Sequence, residues 1–299
     1  MTGTKIEDAV IIGAGPAGIA AAIQLKRHGI TPVIFESNQI GGLLYNANLV
    51  ENYPGFPDGI SGPELVELLS RHLQKASIMI QNDEVTGLDY DDGKFKLSAS
   101  DKTWYAQSVV IASGTMPKLF DDIAIPKPAE NRIFYEVYPL LKEQGKTIII
   151  VGAGDAAFDY ALNLSEHNDV IILNRGEEIR CLPLLKDRAD KTESISYRDH
   201  TQITGISIGQ ANKLQIECQT IKDNLRLDSD FIIFAIGRQP QLGYVSEKLI
   251  AGSLELMKQG IFHIIGDVKN GIYRQSAIAI GQGIMAAMMI SRNLKDQNR

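Results

Sequence analysis

The glycine-rich segment near the N-terminus has residue types and spacing that suit phosphate binding. Gly13-x-Gly15-x-x-Gly18 follows a predicted strand at 9–12 and opens a predicted helix at 19–27. Such glycines permit a tight turn, a close approach of the backbone to a pyrophosphate, and close packing of helix on strand. The free N–H groups and the positive end of the helix dipole favour an anion. The segment therefore predicts a dinucleotide site.

An acidic residue stands at the end of the next predicted strand. Glu36 follows Gly18 by 18 positions, where a carboxylate accepts hydrogen bonds from both ribose hydroxyls of a dinucleotide. A 2′-phosphate at that place meets a like charge, which weakens its binding. This first unit therefore favours FAD or NAD(H) over NADP(H).

A second glycine-rich segment repeats the pattern in the middle of the chain. Gly152-x-Gly154-x-x-Ala157 lies between a predicted strand at 147–151 and a helix that reaches about residue 164. Alanine is allowed at the third position of this motif. Strands that alternate with helices in both segments predict an α/β fold with two Rossmann-like dinucleotide-binding domains.

The end of the strand after the second motif differs from that of the first. No carboxylate stands there; Arg175 comes directly after the strand, and Arg180 follows five positions later. A guanidinium group can hold a 2′-phosphate through two parallel hydrogen bonds, so this unit favours NADP(H). Glu177 and Glu178 nearby repel a phosphate, so use of NADH as well stays open. Solvated loop charge is the alternative interpretation of both arginines.

Composition and charge bound the classes of function. The 299 residues suggest about two domains. The 30 basic and 36 acidic side chains leave a net charge of −6, which gives no reason to expect a nucleic acid or an anionic membrane as partner. No segment is predicted to cross a membrane, and the N-terminus lacks the basic start of a secretory signal, so the cytoplasm is expected.

The cysteines and histidines do not show the spacing of a redox or metal-binding motif. The two cysteines, Cys181 and Cys218, are 37 positions apart and form no Cys-x-x-Cys, so each is expected to be a packed or loop cysteine. The five histidines do not stand at metal-ligand spacing from Cys, Asp or Glu, and no metal site is predicted.

Five further segments, in the same order along the chain, resemble a known family. They are Gly41–Leu43 with residues 50–56, then residues 111–115, residues 231–240, residues 260–268, and Tyr273–Gln275. The chain resembles the low-molecular-weight thioredoxin reductases, which are FAD- and pyridine-nucleotide-dependent oxidoreductases, and their ferredoxin–NADP reductase relatives. The likeness extends from Val10 to about Met289.

The resemblance implies a domain plan and a set of site residues. The FAD domain is discontinuous (residues 1–115 and 243–299), has three-layer ββα architecture and contains the inserted NAD(P)H domain (residues 116–242); the protein is expected to be a homodimer. The residues expected to bind FAD are Gly13, Gly15, Pro16, Ala17, Gly18, Glu36, Gly42, Leu43, Asn52, Ala112, Ser113, Gly114, Gly266, Asp267, Arg274, Gln275 and Ser276. Those expected to bind NADPH are Gly152, Gly154, Asp155, Ala156, Asn174, Arg175, Arg180 and Gly237.

The chain departs from the family at two places. Tyr135 and Tyr138 stand where thioredoxin reductases carry their two thiols, and Gly176 replaces a further arginine. The tyrosines either line the flavin face or fill a vacated site. Electrons are therefore expected to pass from NADPH through FAD to an external acceptor such as ferredoxin or flavodoxin. A small molecule, an external disulfide or dioxygen is the alternative acceptor, and a non-catalytic flavoprotein sensor is the third hypothesis.

Overall fold

The computed structural model describes residues 5–297, which divide into two compact units. The first unit comprises residues 5–45, 49–116 and 239–297, and the second comprises residues 46–48 and 117–238. The chain thus crosses between units after residues 116 and 238, where the sequence predicted crossings after 115 and 242. No feature of the sequence predicted that the short segment 46–48 belongs to the second unit.

The strands and helices are numbered in chain order. The strands are β1 (Ile6–Ile12), β2 (Val33–Glu36), β3 (Met79–Asn82), β4 (Val85–Asp91), β5 (Lys94–Ala99), β6 (Lys102–Ile111), β7 (Thr115–Pro117), β8 (Ile133–Phe134), β9 (Thr147–Val151), β10 (Asp169–Leu173), β11 (Ile195–Arg198), β12 (Gln202–Ile208), β13 (Leu214–Gln219), β14 (Asn224–Ser229), β15 (Phe231–Phe234), β16 (Arg238–Pro240) and β17 (Phe262–Ile264). The helices are α1 (Pro16–Arg27), α2 (Gly62–Lys75), α3 (Asp155–Leu164), α4 (Pro183–Asp190), α5 (Glu247–Lys258) and α6 (Ser276–Gln297). Strands β7 and β16, at the two crossings, pair with each other.

The first unit is built on a sheet whose central strands are parallel. Strands β3, β2, β1 and β6 are neighbours in that order, and β17 pairs with the C-terminal part of β6. Strands β4 and β5 extend the N-terminal part of β6 as an antiparallel meander. Ile11 faces a core shared with α1, α2 and α6, whereas Val10 and Ile12 face a core shared with β4, β5 and α5. This alternation gives the predicted three-layer ββα arrangement.

Helices α1 and α6 pack closely because α6 presents small residues. A Cβ on Gly283 would lie 2.2 Å from the Ala17 carbonyl oxygen, and Ala286 and Ala287 are buried in the same core. By length and composition alone, Ser276–Asp296 is long and apolar enough to cross a membrane. The sequence predicts no membrane-crossing segment, and a core helix of a compact fold can meet the same length and composition criterion. The packing of α6 on α1 accounts for its small-residue face within the unit.

The second unit has a parallel sheet in the order β11, β10, β9, β15 and β8. Ile148 and Ile150 of β9 point into a core formed with α3 and α4. Ile149 points to the other face, into a core shared with the antiparallel sheet of β12, β13 and β14. Both units are thus α/β layers in which the parallel strands end at a single edge, the place where loops bind ligands in such folds.

Candidate functional site

Two glycines of the first loop, between β1 and α1, are required by the chain itself. Gly13 has a φ of +103°, and a Cβ there would lie 2.3 Å from the Ala112 carbonyl oxygen at the end of β6. A Cβ on Gly18 would lie 1.9 Å from the Gly13 carbonyl oxygen. Neither position can accept a side chain without a shift of backbone, so these two glycines form the turn and the helix–strand contact.

Gly15 has no such reason to be a glycine. Its backbone is extended, with φ −73° and ψ 179°, and nothing lies within 4 Å of the place a Cβ would occupy. It precedes α1 directly, Pro16 opens the helix, and no side chain caps the helix N-terminus. An open, uncapped N-terminus beside a glycine the chain does not need fits a pyrophosphate close to the backbone.

Glu36 lies at the C-terminal end of β2 and turns toward this loop. Its Oε2 accepts the Ala14 N–H at 2.7 Å, and its Oε1 accepts the Asn38 N–H at 2.9 Å. Each carboxylate oxygen keeps a second lone pair for a further donor. The geometry places the carboxylate at the strand end, and its contact with ribose hydroxyls stays a prediction.

The loop after β2 packs on the first glycine loop. The Gly41 N–H donates to the Ala14 carbonyl oxygen at 2.8 Å, and a Cβ on Gly42 would lie 3.7 Å from the Gly15 Cα. Gly42 and Leu43 begin a 3-10 helix, Gly42–Asn46. The two glycine segments that the sequence singled out in this unit are therefore neighbours.

The segment after β6 is fixed by the chain that returns from the second unit. The Ser113 hydroxyl donates to the Gln241 carbonyl oxygen at 2.7 Å, and the Gln241 N–H donates to the Gly114 carbonyl oxygen at 3.2 Å. Ala112 continues the pairing with β1 through the Ile12 carbonyl oxygen at 2.8 Å. Because its proton is already donated, the Ser113 hydroxyl acts here as a structural group.

The closing motif also lies at this edge of the sheet, after β17. Gly266 has a φ of +73°, and its N–H donates to Gln282 Oε1 of α6 at 2.7 Å, which fixes the turn that carries Asp267. Asn52 Nδ2 donates to Gln275 Oε1 at 2.6 Å. The buried Arg274 Nε has no acceptor among the described residues. A buried donor left without an acceptor is costly, so this one fits a site completed by a ligand. Ser276, also predicted to bind FAD, is the first residue of α6.

The second glycine loop, between β9 and α3, repeats the first. Gly152 has a φ of +139°, and a Cβ there would lie 2.4 Å from the Ala235 carbonyl oxygen. Gly154 is extended and has nothing within 4 Å of a Cβ, as at Gly15. Ala157 is buried in the core. Gly237, with a φ of +114°, accepts the Lys118 N–H through its carbonyl oxygen at 3.0 Å.

Asn174 has a structural use that the sequence did not reveal. Its Nδ2 donates to the Glu178 carbonyl oxygen at 3.1 Å and to the Tyr197 hydroxyl at 2.9 Å, and its Oδ1 accepts the Gly176 N–H at 3.2 Å. The buried amide therefore holds the loop after β10, with both its donor and its acceptor atoms engaged. Arg175, next to it, is exposed and has no ion-pair partner within residues 5–297.

Arg180 is tied to the second glycine loop by its backbone. Its N–H donates to the Ala153 carbonyl oxygen at 2.8 Å, and it forms an isolated bridge with Gly154. Its side chain pairs with Glu178. Asp155, at the start of α3, accepts the Leu182 N–H at 2.7 Å and so holds the same loop from the other side. Ala156 is exposed on the first turn of α3.

The second unit also contains a polar network that sequence reasoning missed. Glu136 accepts hydrogen bonds from Asn46 Nδ2 at 2.7 Å and from the Tyr160 hydroxyl at 3.3 Å, and it pairs with Arg238. Asn46 Oδ1 in turn accepts the Tyr138 N–H at 3.0 Å. These contacts attach segment 46–48 to the second unit. They join residues up to 102 positions apart, which no local pattern predicts.

Asp159 is the most perturbed carboxyl group of that region. Asp155, four positions earlier on α3, is exposed, whereas Asp159 is partly buried. Asp159 Oδ2 accepts the Asn48 N–H at 3.0 Å. Burial raises the pKa of the Asp159 carboxyl to about 6 even though this hydrogen bond opposes the shift. The sequence could not predict this burial, because segment 46–48, which covers Asp159, lies more than 100 positions away in the chain.

Four basic residues of the second unit, Arg180, Lys186, Arg188 and Lys191, form a local basic stretch that is largely neutralised by its own neighbours. Arg180 pairs with Glu178, Lys186 pairs with Asp190, and Lys191 pairs with Asp187. Arg188, the fourth member, also has a partner. Charges paired in this way are typical of a solvated surface.

Comparisons with known proteins agree with this geometry. The model of the pyridine nucleotide-disulphide oxidoreductase family matches residues 7–283. The chain belongs to that family. Thioredoxin reductase of Rickettsia prowazekii is 30% identical over 305 residues, covering 95% of this chain and 97% of the relative. Thioredoxin reductase of Chlamydia trachomatis is 28% identical over 321 residues, covering 99% of this chain and 100% of the relative.

Solved structures of thioredoxin reductases share the fold. That of Lactococcus lactis matches with a TM-score of 0.84 at 24% identity, covering 97% of this chain and 99% of the other. That of T. acidophilum matches with a TM-score of 0.83 at 25% identity, covering 96% and 98%. The predicted resemblance to thioredoxin reductases, the two-domain Rossmann-like fold and the cofactors FAD and NADPH are thereby confirmed. This member of the pyridine nucleotide-disulphide oxidoreductases is an FAD- and NAD(P)-dependent enzyme.

Proposed function

We propose that this oxidoreductase takes electrons from NADPH through FAD directly to an external redox acceptor, with no thiol of its own in the path. When bound, FAD accepts a hydride from the nicotinamide and gives up the two electrons to the acceptor. NADPH becomes NADP⁺, and one proton is released when the acceptor takes electrons alone. The chain's own task is to bind and orient the two dinucleotides at their glycine loops.

The observation that carries this proposal is the position of the two cysteines. Cys181 packs in the core on the α3 side of the second unit's parallel sheet, and Cys218 of β13 packs in the core on the opposite side. The β9–β10–β15 layer separates them, so they cannot approach to the distance of about 6 Å between Cα atoms that a disulfide needs. Exchange with a disulfide requires an attacking sulfur and a resolving one.

Both thiols are also poor nucleophiles. Burial raises the pKa of the Cys181 thiol above its ordinary value and that of the Cys218 thiol to about 11. The reactive species is the thiolate, which such environments disfavour at neutral pH. Both pKa shifts support the proposal that neither cysteine takes part in electron transfer.

Tyr135 occupies one of the family's thiol positions as a packing residue. Its hydroxyl oxygen accepts the Phe120 N–H at 3.0 Å, and its ring centroid lies 5.9 Å from that of Phe234. This supports the interpretation of Tyr135 as a group that fills a vacated site. Tyr138 is exposed in the 3-10 helix Tyr138–Leu140.

The proposal gives ligand-binding roles to Glu36, Arg274, Arg175, Arg180 and the two helix N-termini. Glu36 receives ribose hydroxyls of FAD, the N-terminus of α1 receives its pyrophosphate, and Arg274 supplies a donor to the flavin's polar edge. In the second unit the N-terminus of α3 receives the NADPH pyrophosphate, and Arg175 and Arg180 face its 2′-phosphate. The open Cβ positions of Gly15 and Gly154 support both pyrophosphate sites.

The acceptor we propose is a redox protein of the ferredoxin or flavodoxin kind, and the enzyme is proposed to act in the cytoplasm as a homodimer. A protein with an exposed disulfide is the second candidate, because the curated relatives are named thioredoxin reductases.

Anaerobic flavin reduction tests the electron path. Holoenzyme is mixed with NADPH or NADH in a stopped-flow instrument and then with ferredoxin, flavodoxin, thioredoxin or dioxygen. The wild type and the variant C181S/C218S are expected to show equal flavin reduction and equal reoxidation by the preferred acceptor. Loss of reoxidation in the double variant, with flavin reduction intact, would show that sulfur lies in the path. A flavin that neither nucleotide reduces would remove the proposed function.

A further inference from the structure

We infer that Glu178 is a specificity-determining residue that competes with the 2′-phosphate of NADPH for Arg180. The inference rests on the proposed nucleotide site of the second unit and adds a regulator of its selectivity. Glu178 Oε2 accepts two donors of the Arg180 guanidinium, Nε at 2.8 Å and Nη2 at 2.5 Å. A carboxylate of the chain thus holds the edge of the guanidinium that would bind a phosphate in bidentate fashion.

Arg180 is not free to leave this place. Its N–H bonds to the Ala153 carbonyl oxygen, and its bridge with Gly154 fixes its backbone against the second glycine loop. The carboxylate of Asp155 anchors the residue two positions further on, Leu182. The guanidinium therefore starts from a fixed point beside the loop that is proposed to hold the pyrophosphate.

Glu178 is fixed as well, from the other end of the loop. Its carbonyl oxygen accepts Asn174 Nδ2, and the same amide accepts the Gly176 N–H. Because Asn174 is buried at the end of β10, the turn that presents Glu178 is set by the sheet. The Glu178–Arg180 pair therefore joins two anchored backbones and is more than a chance contact of two mobile side chains.

The consequence differs for the two nicotinamide nucleotides. A 2′-phosphate must displace the Glu178 carboxylate from Arg180, or bind beside a like charge, and both weaken NADPH binding. The neutral 2′-hydroxyl of NADH requires neither, and it can donate to a free lone pair of the carboxylate. Arg175, exposed and without an ion-pair partner within residues 5–297, is left as the guanidinium that the phosphate can use at once. Glu178 thus lowers the affinity for NADPH relative to the affinity for NADH.

Binding of adenosine 2′,5′-bisphosphate and of 5′-ADP to the FAD-loaded enzyme, measured by titration calorimetry, tests this inference without turnover. E178Q is expected to tighten the bisphosphate about 3- to 10-fold, since the pair is exposed and its strength is modest. The affinity for 5′-ADP is expected to stay within about twofold. E177Q removes the neighbouring, exposed carboxylate, which, unlike Glu178, forms no ion pair within residues 5–297. It is therefore expected to change both affinities by less than about twofold, which makes it the matched control.

The variant R180Q provides a second test in the same titration experiment. It is expected to weaken the bisphosphate and to abolish the gain that E178Q gives, because the competition needs the guanidinium. Equal effects of E178Q and E177Q would overturn the inference, as would a gain that 5′-ADP shares, unchanged bisphosphate binding in R180Q, or no saturable binding of either probe. If the E178Q contrast holds while NADPH fails to reduce the flavin, the proposed function alone fails. If NADPH reduces the flavin and E178Q has no effect, the inference alone fails.

Discussion

Glu36 Oε2 accepts the N–H of Ala14, a residue 22 positions earlier in the chain, at 2.7 Å. This hydrogen bond connects the end of β2 to the turn between β1 and α1, so the acid and the glycine loop form one structural unit. The spacing of the two motifs in the sequence suggested that they serve one ligand. Their direct contact shows how the acid is oriented before any ligand arrives.

Removal of the Glu36 carboxylate should weaken FAD binding. In E36A, the ribose hydroxyls lose a charged acceptor worth about 1.5–3 kcal/mol, so FAD affinity should fall roughly 10- to 100-fold. Recovery of flavin fluorescence on dilution of the holoenzyme measures the dissociation. The control is E67Q on the exposed side of α2, which should retain wild-type affinity. If E36A binds FAD as tightly as the control, Glu36 does not contribute to the FAD site.

Alanine substitutions at Gly15 and Gly18 should affect different properties, FAD binding and protein stability respectively. Alanine at Gly18 meets the Gly13 carbonyl oxygen, so G18A should destabilise the apoprotein by about 3 kcal/mol or more. Alanine at Gly15 fits its φ of −73° and meets nothing, so G15A should change apoprotein stability by less than about 1 kcal/mol. The Cβ should nevertheless weaken FAD binding, because it enters the space proposed for the pyrophosphate.

Urea unfolding of the two apoproteins and fluorescence titration with FAD check this pair of variants. Each variant is the control of the other, since both add one methyl group to the same loop. Tight FAD binding by G15A would show that the open space beside Gly15 is not where the pyrophosphate lies.

Asp159 should make the free energy of unfolding depend on pH in the acidic range. Burial raises its pKa to about 6 in the folded protein, above the 3.8 of an ordinary aspartate. The folded state therefore binds the proton more tightly than the unfolded state. The stability linked to this proton is fully present below about pH 4 and is lost as the pH rises through about 6. At pH 7 the folded protein carries a desolvated charge that costs about 1–3 kcal/mol.

D159N replaces that charge with a neutral side chain whose oxygen can still accept the Asn48 N–H. It should raise the free energy of unfolding at pH 7 by about 1–3 kcal/mol and have little effect near pH 4. Urea unfolding across this pH range measures the difference, with D169N, at an exposed position of β10, as the control. A difference between wild type and D159N that does not vary with pH would show that Asp159 is not desolvated.

The sequence alone determined the two turns of glycine, the strands before them and the helices after them. Gly13 and Gly152 adopt positive φ, a backbone conformation that glycine permits, so their spacing in a short motif was enough to predict the two turns. Glu36 and Arg175 could also be placed, because a residue at the end of a strand next to a glycine loop has a fixed position in a βαβ unit. The family resemblance rested on these same local patterns.

Only the tertiary structure decided how the polar side chains near the second loop are used. Asn174 holds a loop, Glu178 pairs with Arg180, and Asp159 loses its solvent to segment 46–48. Asp159 and Asn174 depend on partners that the fold brings from other parts of the chain, Asn48 and Tyr197. Glu178 and Arg180 are close in sequence, but their pairing depends on the loop conformation that Asn174 and the Ala153 carbonyl oxygen hold. A side chain's type and spacing state which hydrogen bonds and charges it can offer, whereas the folded neighbourhood decides which of them are already satisfied.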